Sequence, residues 1–122
     1  MKRDMDLIRK LLLQLEGDSN TKQQDKDVSS YNPLTVNYHK YLIIDAKLAS
    51  GTTYMTTGSG GVMEGMMTHL TWEGHDFIDS IRNDSLWMKV KDNVKKGVTT
   101  VSMETLKQVV SYVAKQMMGM HG

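Results

Sequence analysis

The sequence predicts an α+β chain in which a helix runs straight into a β-hairpin and more helices follow. Three observations carry that expectation. Asn32 and Pro33 mark a helix start: asparagine is a favoured N-cap, and proline at the first helical position gives up only an amide hydrogen that has no partner there. Val36, His39, Ile43 and Ala46 then recur at helical spacing with Leu42 beside them, which makes one face apolar, while Thr35, Asn37, Tyr38, Tyr41 and Asp45 look elsewhere. Finally, residues 48–57 are rich in β-branched and aromatic types, TGSGG at 57–61 supplies a turn, and 62–70 return as a methionine-rich strand. Helix followed by hairpin is the arrangement of a winged helix-turn-helix with a β-hairpin wing. Residues 1–82 are expected to form that core. Residues 83–122 are expected to be a C-terminal helical extension of one overall domain, either packing on the core or forming a dimer interface.

Each element has its own justification. Residues 4–16 put Met5, Ile8, Leu11, Leu12 and Leu15 on one stripe, with Asp4 and Asp6 in the first turn where the helix dipole favours acid, and Gly17 stops the helix. Residues 17–31 carry almost no apolar side chains and read as a loop, with one short strand near Val28. After the hairpin, Thr71 caps a helix, WEGHDFIDSIR, whose inner face is expected to hold Trp72, Phe77, Ile78 and Ile81. Asn83 and Asp84 open another helix with Leu86, Trp87, Val90 and Val94 as its stripe and Gly97 as its end. Ser102 opens the last, where Met103, Leu106, Val109, Val110, Val113 and Met117 recur at three and four. A stripe this regular suits a return onto the first helix and suits equally a homodimer through residues 103–118.

Composition narrows the function classes. At 122 residues the chain suits one domain with its own core. It has no cysteine, which excludes disulfides, thiolate catalysis and cysteine metal sites and fits a reducing cytoplasm. The opening MKRDMDLIRK has no apolar run suited to a signal peptide or membrane span, so a cytoplasmic protein without membrane contact is expected. Fifteen basic against fourteen acidic residues leave a net charge of +1, so any binding to nucleic acid must come from a local patch. The eleven methionines suit irregular core gaps better than a dedicated contact surface.

The segments MKRDMDLIRKLL, YHKYLIIDAKL and LTWEGHDFIDSIR together resemble an uncharacterised winged-helix family, related to YjcQ-like proteins, found in bacteria and their prophages. The resemblance covers most of the chain and implies the same order of elements, but no activity. Two positions depart from the family pattern: Lys40 stands where an aliphatic residue is usual, and Lys47 where a glycine usually ends the helix. A lysine in a left-handed cap costs on the order of 1 kcal/mol, so a differently shaped helix end is expected.

Candidate sites are few. His39 on the apolar side of the central helix reads as a hydrogen-bonded core histidine ahead of a ligand or pH switch. His69, Glu73, His75 and Asp76 match no metal spacing, Glu73 and Asp76 suit a helix first turn, and GSGG at 58–61 lacks the lysine of a phosphate loop. Nothing clusters as nucleophile, base and orienter, so neither an enzyme nor a cofactor or metal is expected. The sharper candidates are for double-stranded DNA: Thr35, Asn37, Tyr38, Lys40 and Tyr41 are side chains suited to base edges and phosphates if their helix enters a major groove. Lys89, Lys95 and Lys96, with Lys91 and Arg82, are a local cationic excess, though a solvated helix face accounts for them as simply. Against DNA, residues 51–65 contain no lysine or arginine, where a wing reaching the minor groove normally uses one. The expected function is therefore a DNA-binding regulator of a mobile element or its host, with a winged-helix protein-interaction module as the alternative.

Overall fold

The computed structural model describes residues 2–17, 28–97 and 102–119, apart from the side chains of 95–97. The chain is α+β in a winged-helix-like layout, and it divides into two compact units, Met1–Ile78 and Asp79–Gly122.

In the first unit, helix α1 spans Met5–Leu15. Its N-cap is Asp4, whose Oδ1 accepts the amides of Asp6 at 3.0 Å and Leu7 at 3.3 Å, and its buried stripe is Leu7, Ile8, Leu11 and Leu12. Gly17 ends it at φ 91°, a left-handed value that glycine adopts without strain. Val28 and Ser29 are helical, and the Tyr31 amide donates to the Val28 carbonyl at 3.1 Å, so the strand expected near Val28 is replaced by a helical turn. One β-branched residue does not specify a strand without a neighbour to pair with, and the described sheet has two strands, both further along the chain. The rest of that expected loop, residues 18–27, lies outside the described residues.

Helix α2 spans Pro33–Asp45, and the Asn32 side chain accepts the Leu34 amide at 2.8 Å. At its other end Lys47 lies at φ 64°, the Lys47 amide donates to the Ile44 carbonyl at 2.9 Å, and the Leu48 amide to the Ile43 carbonyl at 3.0 Å. These paired bonds are a Schellman ending, sealed by buried Ile43 and Leu48. The expectation of a differently shaped end is thus corrected: the left-handed cap is kept with a lysine in it. The reason lies in Thr71, whose hydroxyl donates to the Lys47 carbonyl at 2.6 Å while its amide donates to the Leu48 carbonyl at 3.1 Å.

Strands β1, Ala49–Tyr54, and β2, Glu64–Leu70, pair antiparallel from Ala49 opposite Leu70 to Tyr54 opposite Glu64, with an irregularity between Ser50 and Gly51. A single 3₁₀ turn at Thr57–Ser59 and two left-handed glycines, Gly60 at 66° and Gly61 at 88°, close the hairpin as TGSGG predicts.

Helix α3 spans Trp72–Ile81, and the Thr71 hydroxyl accepts the Gly74 amide at 3.0 Å as its cap. Phe77, Ile78 and Ile81 are buried, but Trp72 is 80% exposed, which corrects its expected inner place. At 100° per residue Trp72 stands about 180° from the centre of the Gly74, Phe77, Ile78 and Ile81 face, so the helix period overrides its hydrophobicity.

In the second unit, helix α4, Asp84–Gly97, packs against helix α5, Met103–Gly119. Asn83 caps α4 through the Leu86 amide at 2.9 Å, and Ser102 caps α5 through the Thr105 amide at 3.1 Å. Leu86, Trp87 and Val90 are buried on one helix, Leu106, Val110 and Val113 on the other. All six belong to the stripes the sequence period predicts, whose other members, Val94, Met103, Val109 and Met117, are half-buried.

Candidate functional site

Helix α2 is held on two sides, and its polar side chains are sorted by what holds it. On the first side His39, fully buried, has its Nδ1 2.8 Å from the Thr35 carbonyl and its Nε2 2.8 Å from the Asp4 amide. The carbonyl needs a donor and the amide needs an acceptor, so the ring carries its hydrogen on Nδ1 and accepts at Nε2. His39 thereby pins α2 to the start of α1 and leaves neither nitrogen for a ligand.

The second side is covered by the hairpin. At Gly65 a Cβ would stand 2.6 Å from the Tyr41 amide nitrogen and 2.8 Å from the Lys40 carbonyl carbon, so β2 crosses α2 with backbone against backbone. Only glycine permits that approach. Beside it, Glu64 is a buried acid: its Oε1 accepts the Asn37 amide group at 3.1 Å and its Oε2 accepts the Thr56 hydroxyl at 2.9 Å. Both oxygens therefore have donors, as burial of a carboxylate requires.

The candidates for base reading are placed as follows. Asn37 donates one of its two side-chain N–H groups to Glu64, and Lys40 lines a cleft between α1, α2 and the hairpin. Thr35, Tyr38 and Tyr41 are half-buried, and the two tyrosine rings stack with centroids 6.0 Å apart and planes 30° from parallel. From residue 34 to residue 44 no side chain of α2 is fully exposed. Consequently the clean division into apolar and polar faces expected for this helix is absent, because it meets protein on more than one side.

Elsewhere, Lys89 is exposed on α4 and Lys47 is exposed at the end of α2. The Lys95 and Lys96 side chains lie outside the described residues. Arg82 is engaged by Asp79 at 2.7 Å, an exposed pair of small energetic weight. His69, Glu73, His75 and Asp76 are all exposed, and among the described residues no three histidine or carboxylate side chains gather as a metal site would need. No described helix is long and apolar enough to cross a membrane. The hairpin exposes Met55 and Met66.

Sequence reasoning missed Glu64 and Gly65. The available signal was a charged residue and a glycine side by side in a methionine-rich strand, where a buried acid needs donors and a glycine suits a close backbone approach.

The comparisons with known proteins agree with one another. Residues 2–102 match the family described as "Hypothetical protein (DUF2513)". A protein of Haemophilus influenzae (strain Rd) bearing the description "Uncharacterized protein" is 32% identical over 120 residues, spanning 97% of this chain and 99% of its own length. No solved structure matches. With the family pattern covering α1 to α4 and the relative matching nearly end to end, the chain belongs to the DUF2513 family.

Proposed function

We propose that the protein is a winged-helix DNA-binding regulator of a mobile element or its host, related to YjcQ-like proteins, acting as a dimer through residues 103–118 without catalysis or cofactor. The observation that carries this reading is the placement of Thr35, Tyr38 and Tyr41, half-exposed on a well-capped α2 that is braced by α1 and leads directly into a hairpin. Hydroxyl side chains on such a helix suit base edges and phosphates. Asn37, which also donates to Glu64, and Lys40, which also lines the cleft, complete the α2 contact set. Backbone charge contacts then fall to Lys89, Lys95 and Lys96 on α4.

A second reading, a protein-interaction module, is favoured by one feature: a hairpin with no lysine or arginine from 51 to 65 that exposes Met55 and Met66. Fluorescence anisotropy of a labelled mixed-sequence duplex, titrated at low and moderate salt, separates the two. DNA binding predicts an affinity that falls steeply with salt, a slope reduced by about one on Lys89→Ala, and weaker binding at unchanged slope on Tyr38→Ala. Absence of binding at low salt would remove the DNA reading and leave the interaction module.

A further inference from the structure

Between α1, α2 and the hairpin lies a cleft of about 330 Å³. Its size is at the small end of ligand pockets, which begin near about 300 Å³. Leu11, Leu15, Met66 and Met67 line its apolar side, and Gln14, Asn37, Lys40 and Tyr54 its polar side, which brings an ammonium-bearing and a hydroxyl-bearing residue to the cleft. Neither the Lys40 ammonium nor the Tyr54 hydroxyl has a hydrogen-bond or ion-pair partner among the described residues. The nearby acid Glu64 does not line the cleft, and both its oxygens are taken by Asn37 and Thr56.

We infer that this cleft binds a small amphipathic carboxylate, its carboxylate paired with the Lys40 ammonium and its aliphatic tail laid against Leu11, Leu15, Met66 and Met67. The chemistry selects both halves of that ligand. The half-buried Lys40 has no acid paired with it among the described residues, and a cation beside apolar side chains favours an anion over a neutral guest. The apolar walls favour a hydrocarbon tail over inorganic phosphate or a simple acid such as acetate, with each methylene buried tightening binding about fourfold. The walls come from α1, α2 and β2, so an occupant ties the hairpin to α2. This inference stands on the cleft alone and does not depend on DNA binding.

The test is a titration of the full chain, isotopically labelled for amide NMR spectra, with octanoate, octan-1-ol and inorganic phosphate in separate series. The expected result is saturable shifts with octanoate at submillimolar concentration, confined to amides around residues 11–15, 37–41 and 65–67. Octan-1-ol is expected to bind about tenfold more weakly, and phosphate to leave these amides unmoved. Lys40→Met, which keeps the stem and removes the charge, should abolish the difference between acid and alcohol. Equal binding of acid and alcohol by the wild-type chain, shifts centred elsewhere, or no saturation at millimolar octanoate would each overturn the proposal. The wild-type comparison decides the matter even if the variant fails to fold.

Discussion

Asn37 donates its side-chain amide to the Glu64 carboxylate at 3.1 Å, joining the middle of α2 to the first residue of β2. The bond sets the hairpin's register on the helix, because Gly65, the next residue, is the one that lies on the Lys40–Tyr41 backbone. Glu64→Leu tests it: both accepting oxygens are lost, and the Asn37 amide and the Thr56 hydroxyl lose the acceptor that holds them. Urea unfolding should show a loss of about 1–3 kcal/mol, the usual cost of removing one partner of a buried polar pair. A stability within experimental error of the wild type would show that the pair does not hold the hairpin.

Gly65→Ala places a methyl group against backbone atoms that cannot rotate away. The expected loss is about 1–3 kcal/mol, as for other overpacked sites. Gly58→Ala, in the hairpin turn, meets nothing within 4 Å and serves as the matched control with little change. Thermal denaturation of both variants checks the contrast. Equal effects would place the constraint in strand propensity, with no role for the helix contact.

Lys47 occupies a left-handed position at φ 64°. Lys47→Gly removes a penalty of about 1–2 kcal/mol, partly offset by the greater freedom of glycine in the unfolded chain, for an expected net gain of about 0.5–1 kcal/mol. The Thr71 hydroxyl still holds the carbonyl of residue 47 in the variant. A midpoint of urea unfolding that rises with unchanged slope would bear this out, and a fall would show that the lysine side chain itself contributes there.

Trp72 is 80% exposed at the first position of α3. Trp72→Ser is expected to change stability by no more than about 0.5 kcal/mol, the range typical of surface sites. The wild-type tryptophan should also be quenched readily by iodide, in contrast to Trp87, which is 3% exposed. Comparing quenching in Trp72→Ser with that in the wild type checks both points.

What the sequence determined by itself is local. Caps at Asn32, Thr71, Asn83 and Ser102 are each set by one side chain acting on nearby backbone, the stop at Gly17 and the TGSGG turn by glycines free to take positive φ, and they stand where expected. The stripes of α4 and α5 were legible because a helix buried on one side writes its period into the chain, and that of α1 in part: Ile8, Leu11 and Leu12 are buried as expected, but so is Leu7, while Met5 and Leu15 are only half-buried. Helix α2 writes a period in Val36, His39 and Ile43, but its remaining side chains from 34 to 44 are half-buried too, because α1 and the hairpin both cover it. Which of Thr35, Asn37, Tyr38, Lys40 and Tyr41 faces outward was therefore decided only in three dimensions. The Glu64 bonds to Asn37, 27 residues away in sequence, and the hold of Thr71 on Lys47, 24 away, belong to the tertiary structure for the same reason. Spacing along the chain reports contacts within one element, while contacts between elements depend on how two backbones meet, and here two small residues, Gly65 and Gly74, set that meeting.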